Sequence, residues 1–142
     1  MIHGLMAFFA SLGFAILFNV QKKYLFYAAS SGAIGGIIYY LILESNISEV
    51  FALFIASVAI TIVSEVFARK LKCPATTFLI CALIPLVPGG AMYNTVLKIV
   101  EGDNLMALSY GLSTIFNACA IVIGCTLVSS ISKTYNKLIK SK

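Results

Sequence analysis

Five long apolar runs dominate this chain and constrain what it can fold into. They cover residues 4–20, 24–43, 50–68, 75–97 and 105–131. Stretches of roughly 17–25 apolar residues cross a bilayer as helices. Lipid offers no hydrogen-bonding partner, so each peptide group must be satisfied inside its own span. The alternating segments of about ten residues that build a membrane β-barrel are absent. The expected fold class is all-α: a polytopic membrane protein of about five helices. It would form a single integral membrane domain over residues 1–142, with a basic cytoplasmic tail at 132–142. Composition agrees, with 61% of the residues apolar and only 11% charged. A soluble domain carries about a quarter charged residues, and disorder needs low hydrophobicity with high net charge. The first run is preceded only by Met1-Ile2-His3 and lacks an Ala-x-Ala-like cleavage site, so it reads as a retained helix.

Charge placement sets the expected orientation. Lys22 and Lys23 follow the first run, Arg69, Lys70 and Lys72 follow the third, and Lys133, Lys137, Lys140 and Lys142 lie in the tail. Five crossings put these nine of the ten basic residues on one side. The positive-inside rule makes that side cytoplasmic and places the N-terminus outside. Tyr24 and Tyr27 at one end of the second run, with Tyr39 and Tyr40 at the other, suit interfacial aromatic belts. The net charge of +5 forms no single stripe, so no nucleic-acid partner is expected. Ile131, Tyr135 and Leu138 recur at helical spacing among lysines. The tail is thus either a solvated end with snorkelling lysines or a lipid-surface helix.

The fourth run is interrupted by Ile84-Pro85-Leu86-Val87-Pro88-Gly89-Gly90-Ala91-Met92-Tyr93-Asn94. Proline removes a backbone donor and clashes with the carbonyl one turn back. The two glycines are expected to let the chain leave helical angles. Pro85 lies about 15 Å into the run at helical rise, near the centre of a core roughly 30 Å thick. Broken backbone at that depth persists only inside protein or beside a watery cavity. Secondary transporters bind substrate at such breaks. The amide end of the second half-helix suits a carboxylate. The predicted substrate-binding residues are Pro85, Pro88, Gly89, Gly90, Tyr93, Asn94 and Asn117. The alternative is a structural kink satisfied by neighbouring helices.

Other polar groups are read conservatively. Ser57, Thr61 and Ser64 in the third run, Thr95, and Ser113 and Thr114 in the fifth suit hydrogen bonds between helices. Glu65 is the one acid inside a run. It precedes Arg69 by four residues, the favourable order for an ion pair, with proton coupling as the alternative. Gly32 and Gly36 form a G-x-x-x-G, extended by Ala28, Ser31 and Gly35, and Ala120 and Gly124 repeat the spacing; such faces allow close helix approach. Cys73, Cys81, Cys119 and Cys125 form no C-x-x-C pair and read as packed free thiols. His3 has no ligand set around it. No nucleophile-base pair, phosphate loop or paired carboxylates can be assembled, so no enzyme activity, cofactor or metal is expected.

Taken together, these segments resemble the threonine/serine exporter family, and specifically its smaller membrane half. The resemblance rests on Gly13-Phe14-Ala15-Ile16-Leu17-Phe18-Asn19-Val20, on Gly32-Ala33-Ile34-Gly35, and on Ala68-Arg69 through Pro74. It is most specific at Pro85-Leu86-Val87-Pro88-Gly89 with Tyr93, and includes Asn117. Gln21 departs from the pattern, where a proline would follow Phe-Asn-Val. The resemblance implies a secondary exporter in the inner (plasma) membrane that moves threonine and serine, or small dicarboxylates such as succinate. It also implies a hetero-oligomer, because the family's two unlike halves are sometimes separate chains and this one resembles the small half. The larger subunit would then be the partner. The competing expectation is a non-transporting accessory or assembly subunit.

Overall fold

The computed structural model describes the backbone of residues 2–140 and the side chains of residues 2–134. Among these the regular structure is entirely helical. The order is α1 (Ile2–Leu17), α2 (Lys22–Glu44), α3 (Glu49–Leu71), α4 (Thr76–Leu83), a 3-10 turn at Ile84–Leu86, α5 (Gly89–Val100) and α6 (Asn104–Lys140). Left-handed residues mark four of the reversals. Asn19, Asn46, Lys72 and Gly102, with φ of 54°, 58°, 52° and 80°, lie in the α1–α2, α2–α3, α3–α4 and α5–α6 turns. A residue in this conformation ends a helix and redirects the chain. No such residue lies between α4 and α5, where proline makes the break instead.

Three helices are long and apolar enough to cross a membrane: Lys22–Glu44, Glu49–Leu71 and Asn104–Thr134. The pair Thr76–Leu86 and Gly89–Val100, bent by 49°, makes four if it is one span. The first run yields a helix of only 16 residues, ending at Leu17 rather than Val20. The fifth run does not stop at residue 131, since α6 continues to Lys140. The tail readings for Tyr135, Lys137, Leu138, Lys140 and Lys142 concern side chains outside the described residues.

Small residues seat the helices against one another. A Cβ added at Gly32 would overlap Ser11, and one at Gly36 would press on Ala7, both in α1. The same atom at Gly35 would collide with Ile60 of α3. The glycine face of α2 is therefore consumed within this chain, between α1 and α3. A Cβ at Gly124 of α6 would overlap the Ser57 hydroxyl and press on the Phe54 carbonyl of α3. Two apolar clusters result. Tyr24, Ala28, Ala68, Phe78 and Cys81 form one; Leu53, Ala56, Ile60, Ala82, Leu86 and Ala120 form the other.

The helices sort charge by end. Residues 18–21 and Lys23 share a cavity with Lys72, Cys73 and Pro74, so the turns after α1 and α3 are adjacent. Arg69 meets Ser132 at 2.8 Å, which brings the end of α3 to the same level of α6. At the other end His3 stacks on Tyr40, and Tyr39 reaches Glu49 at 3.4 Å. The basic residues that follow α1 and α3 thus gather at one end of the molecule.

Most hydroxyls bond their own helix rather than a neighbour. Ser57 donates to the Phe54 carbonyl at 2.8 Å and Thr61 to the Ser57 carbonyl at 2.7 Å. Thr95 and Thr114 do the same one turn back, at 2.8 Å each. This corrects the expectation of interhelical bonds at Ser57, Thr95 and Thr114; Thr61 also bonds the side chain of Cys125 on α6, as expected. A carbonyl one turn back is always within reach of a serine or threonine side chain on a helix. Ser64 is buried without a hydrogen bond.

Candidate functional site at the helix break

Helix α4 runs through Thr76–Leu83 and tightens into the 3-10 turn at Ile84–Leu86. The Val87 amide donates to the Ile84 carbonyl at 3.1 Å, and the Gly89 amide to the Val87 carbonyl at 2.7 Å. Pro88 then caps α5 with φ −74° and ψ 57°, outside helical values. Proline cannot donate and fixes its own φ, so the helix restarts at the following residue. Gly89 and Gly90 do not supply the break. Both belong to the first turn of α5, and neither has positive φ. This corrects the expectation that they carry the chain out of helical geometry.

The break stands off-centre against its neighbours. Leu86 packs with Leu53, Ala56 and Ile60 of α3, in the N-terminal half of that helix. A cavity of about 240 Å³ beside it is lined by Pro85–Ala91, Tyr39, Tyr40 and Glu49. Glu49 is the first residue of α3. The cavity therefore reaches the end of the α2–α3 hairpin, whereas helical rise along the fourth run alone suggests its middle. The reason is register: the extent of α4 is measured from its own start, not from the ends of its neighbours.

Of the predicted site residues, Pro85, Pro88, Gly89 and Gly90 come together in this cavity. Tyr93 and Asn94 lie further along α5 and are not among its lining; Tyr93 is 67% exposed. Asn117 is elsewhere, fully buried on α6, and neither atom of its amide has a hydrogen-bond partner. It lies three residues before Ala120, which packs with Leu53, Ala56 and Leu86, so it shares the face that α6 turns to α3. Buried amides are normally paired.

Sequence reasoning did not assign Tyr39, Tyr40 and Glu49 to this site. Tyr39 and Tyr40 read as interfacial aromatics, and Glu49 lies just outside the third run. Their convergence depends on the tertiary register of α2, α3 and the break. Tyr39 donates its hydroxyl to Glu49 Oε1 at 3.4 Å. The opposing wall is the start of α5, where the Gly89 amide is taken up by the Val87 carbonyl but those of Gly90 and Ala91 have no intrahelical acceptor and no side chain caps them. One side of the cavity thus presents an acid and a phenol. The other presents backbone donors and the positive end of a helix dipole. That arrangement can hold a small molecule bearing both charges.

Beyond the break, α5 packs against α6 alone to any extent. Thr95 faces Gly111, and Ile99, Ala107 and Leu108 line the same groove. None of α5 is buried. Val96, Val100, Leu105 and Leu108 are 62%, 80%, 83% and 61% exposed. An apolar hairpin this bare has to meet lipid or another chain.

Long apolar helices and sorted basic ends mark a multi-pass integral membrane protein. The profile of a family described as "Threonine/Serine exporter, ThrE" matches residues 3–131. The chain belongs to that family. A relative in Haemophilus influenzae, described only as an uncharacterized protein, is 31% identical over 131 residues, which is 87% of this chain and 44% of that protein. The chain thus spans less than half the length of this relative. No solved structure matches it.

Proposed function

We propose that this chain is the small subunit of a secondary exporter that moves a zwitterionic amino acid, threonine or serine, out across the plasma membrane. Family membership supports an exporter-type transporter. The observation that carries the substrate reading is the pairing of Glu49 with the uncapped start of α5 across one cavity. A substrate carboxylate would accept from the first-turn amides near Gly90, and its ammonium would face Glu49. Pro85 and Pro88 hold the break open, and Tyr39 orients the carboxylate of Glu49. Tyr93, Asn94 and Asn117 would act on the path beyond the cavity. Succinate fits less well, because its second carboxylate would meet Glu49 and like charges repel.

In this reading all five runs cross the membrane as one domain, with the basic end cytoplasmic and the N-terminus outside. The 16-residue α1 crosses by local thinning of the bilayer. The partner in this reading is a larger subunit that carries the family's other half. The bare α5–α6 hairpin is the surface that subunit would cover. Binding, positioning and gating account for the activity, and no enzyme chemistry enters.

The test is export from cells that carry both subunits and are loaded with threonine-containing dipeptide. Glu49→Gln should cut threonine release at least tenfold with the protein still in the membrane. Unchanged release would refute the assignment of Glu49. Unchanged release on deleting the whole chain would favour an accessory role instead.

A further inference from the structure

A larger cavity lies away from the break. It lies at the basic end, has a volume of about 660 Å³, and separates the turn after α1 from the turn after α3. Binding pockets for small molecules usually measure about 300–1,000 Å³. Its polar wall is Asn19, Gln21, Lys23, Lys72, Thr76 and Thr77, and its apolar floor includes Ile80 and Cys81. Neither Lys23 nor Lys72 has a carboxylate within salt-bridge distance among the described residues. No Asp or Glu is among the lining residues: Glu49 is at the opposite end, and Glu65 is bonded to Ser132.

Backbone conformation points to the same place. Asn19 and Lys72 are both left-handed, with φ of 54° and 52°. Glycine adopts this conformation without a Cβ penalty, and it is the usual residue at the end of a helix. Here a polar and a cationic side chain occupy both positions, and both line the cavity. Helices α2 and α4 also begin at this wall, and neither start is capped by a side chain. The amides of Tyr24, Thr77 and Phe78 are bonded to backbone carbonyls, so the two lysines and the side chains of Asn19, Gln21, Thr76 and Thr77 supply the polar surface, with no acid in the lining.

We propose that this cavity is an oxyanion-binding vestibule, in which Lys72 and Lys23 hold a carboxylate or phosphate group between the α1–α2 and α3–α4 turns. The group can come from a free metabolite or from the headgroup of an anionic lipid. The site is separate from the helix break and does not depend on what the break binds.

Cys73 lies in the cavity wall and is partly exposed, so it reports on occupancy. The full chain is placed in vesicles of phosphatidylcholine alone, or with added phosphatidylglycerol. Modification of Cys73 by an anionic and by a cationic methanethiosulfonate is followed by mass spectrometry. The anionic reagent should react roughly tenfold faster, because local positive potential concentrates it. Succinate, threonine or inorganic phosphate should slow the reaction in phosphatidylcholine if the natural source is a free anion. Slowing only in phosphatidylglycerol assigns the site to a lipid headgroup. In either case Lys72→Gln should remove at least two-thirds of the protection, and Lys70→Gln, outside the cavity, should leave it intact. Absence of protection by any of these anions, or equal protection in Lys72→Gln and the parent chain, would overturn the proposal.

Discussion

Ser132 donates a hydrogen bond to Oε2 of Glu65 at 2.7 Å, across the interface between α6 and α3. The same hydroxyl accepts from Arg69 at 2.8 Å. One serine thus links an acid and a base that lie one turn apart on the facing helix. A hydrogen bond to a charged group contributes about 1.5–3 kcal/mol when well buried, and exposure at this end reduces that. Ser132→Ala should lower stability by about 1 kcal/mol. Thermal unfolding in mild detergent measures it. An unchanged midpoint would show that Glu65 and Arg69 hold without the bridge.

Close packing makes opposite predictions for Gly124 and for the pair Gly89 and Gly90. At Gly124 a Cβ would meet the Phe54 carbonyl at 2.9 Å, an atom that cannot rotate away. Gly124→Ala should destabilise by about 1–3 kcal/mol, the usual cost of overpacking. Gly89 and Gly90 have nothing within 4 Å of such an atom. Gly89→Ala and Gly90→Ala should be neutral or stabilising by up to about 1 kcal/mol, because alanine favours the helix. Loss of export in stable Gly89→Ala or Gly90→Ala protein would show that a substrate or partner approaches the backbone there.

Asn117 is buried with both amide atoms unpaired. Leaving such groups unsatisfied costs about 1–3 kcal/mol. Asn117→Leu should therefore keep or raise the unfolding midpoint while reducing export. A fall in stability would mean that the amide is paired in the assembled transporter.

The sorting of basic residues predicts sidedness. With native cysteines replaced, single cysteines at Gln21 and Lys72 should react from the cytoplasmic side with an impermeant maleimide. Cysteines at Asn46 and Gly102 should react from the outside. Labelling of positions 72 and 102 from one side would mean that the bent pair of helices turns back without crossing.

Length and hydropathy alone marked α2, α3 and α6 as helices, because a long apolar run in lipid has few other ways to satisfy its peptide groups. Proline likewise made the interruption near residue 88 readable, since it lacks a donor wherever it stands. The small face of α2 was legible as a contact surface. That Gly32 and Gly36 meet α1, while Gly35 meets α3, depends on how three helices rotate about one another. The site divides the same way. Pro85 through Gly90 are neighbours in the chain, so their grouping is local. Glu49 and Tyr39 join them only through the register in which Leu86 seats against α3. The vestibule at the basic end has the same origin, because Lys23 and Lys72 lie far apart in the chain. Periodicity describes which face of a helix is apolar. It carries no information about how far one helix slides along the next, and that offset places an acid opposite a helix start.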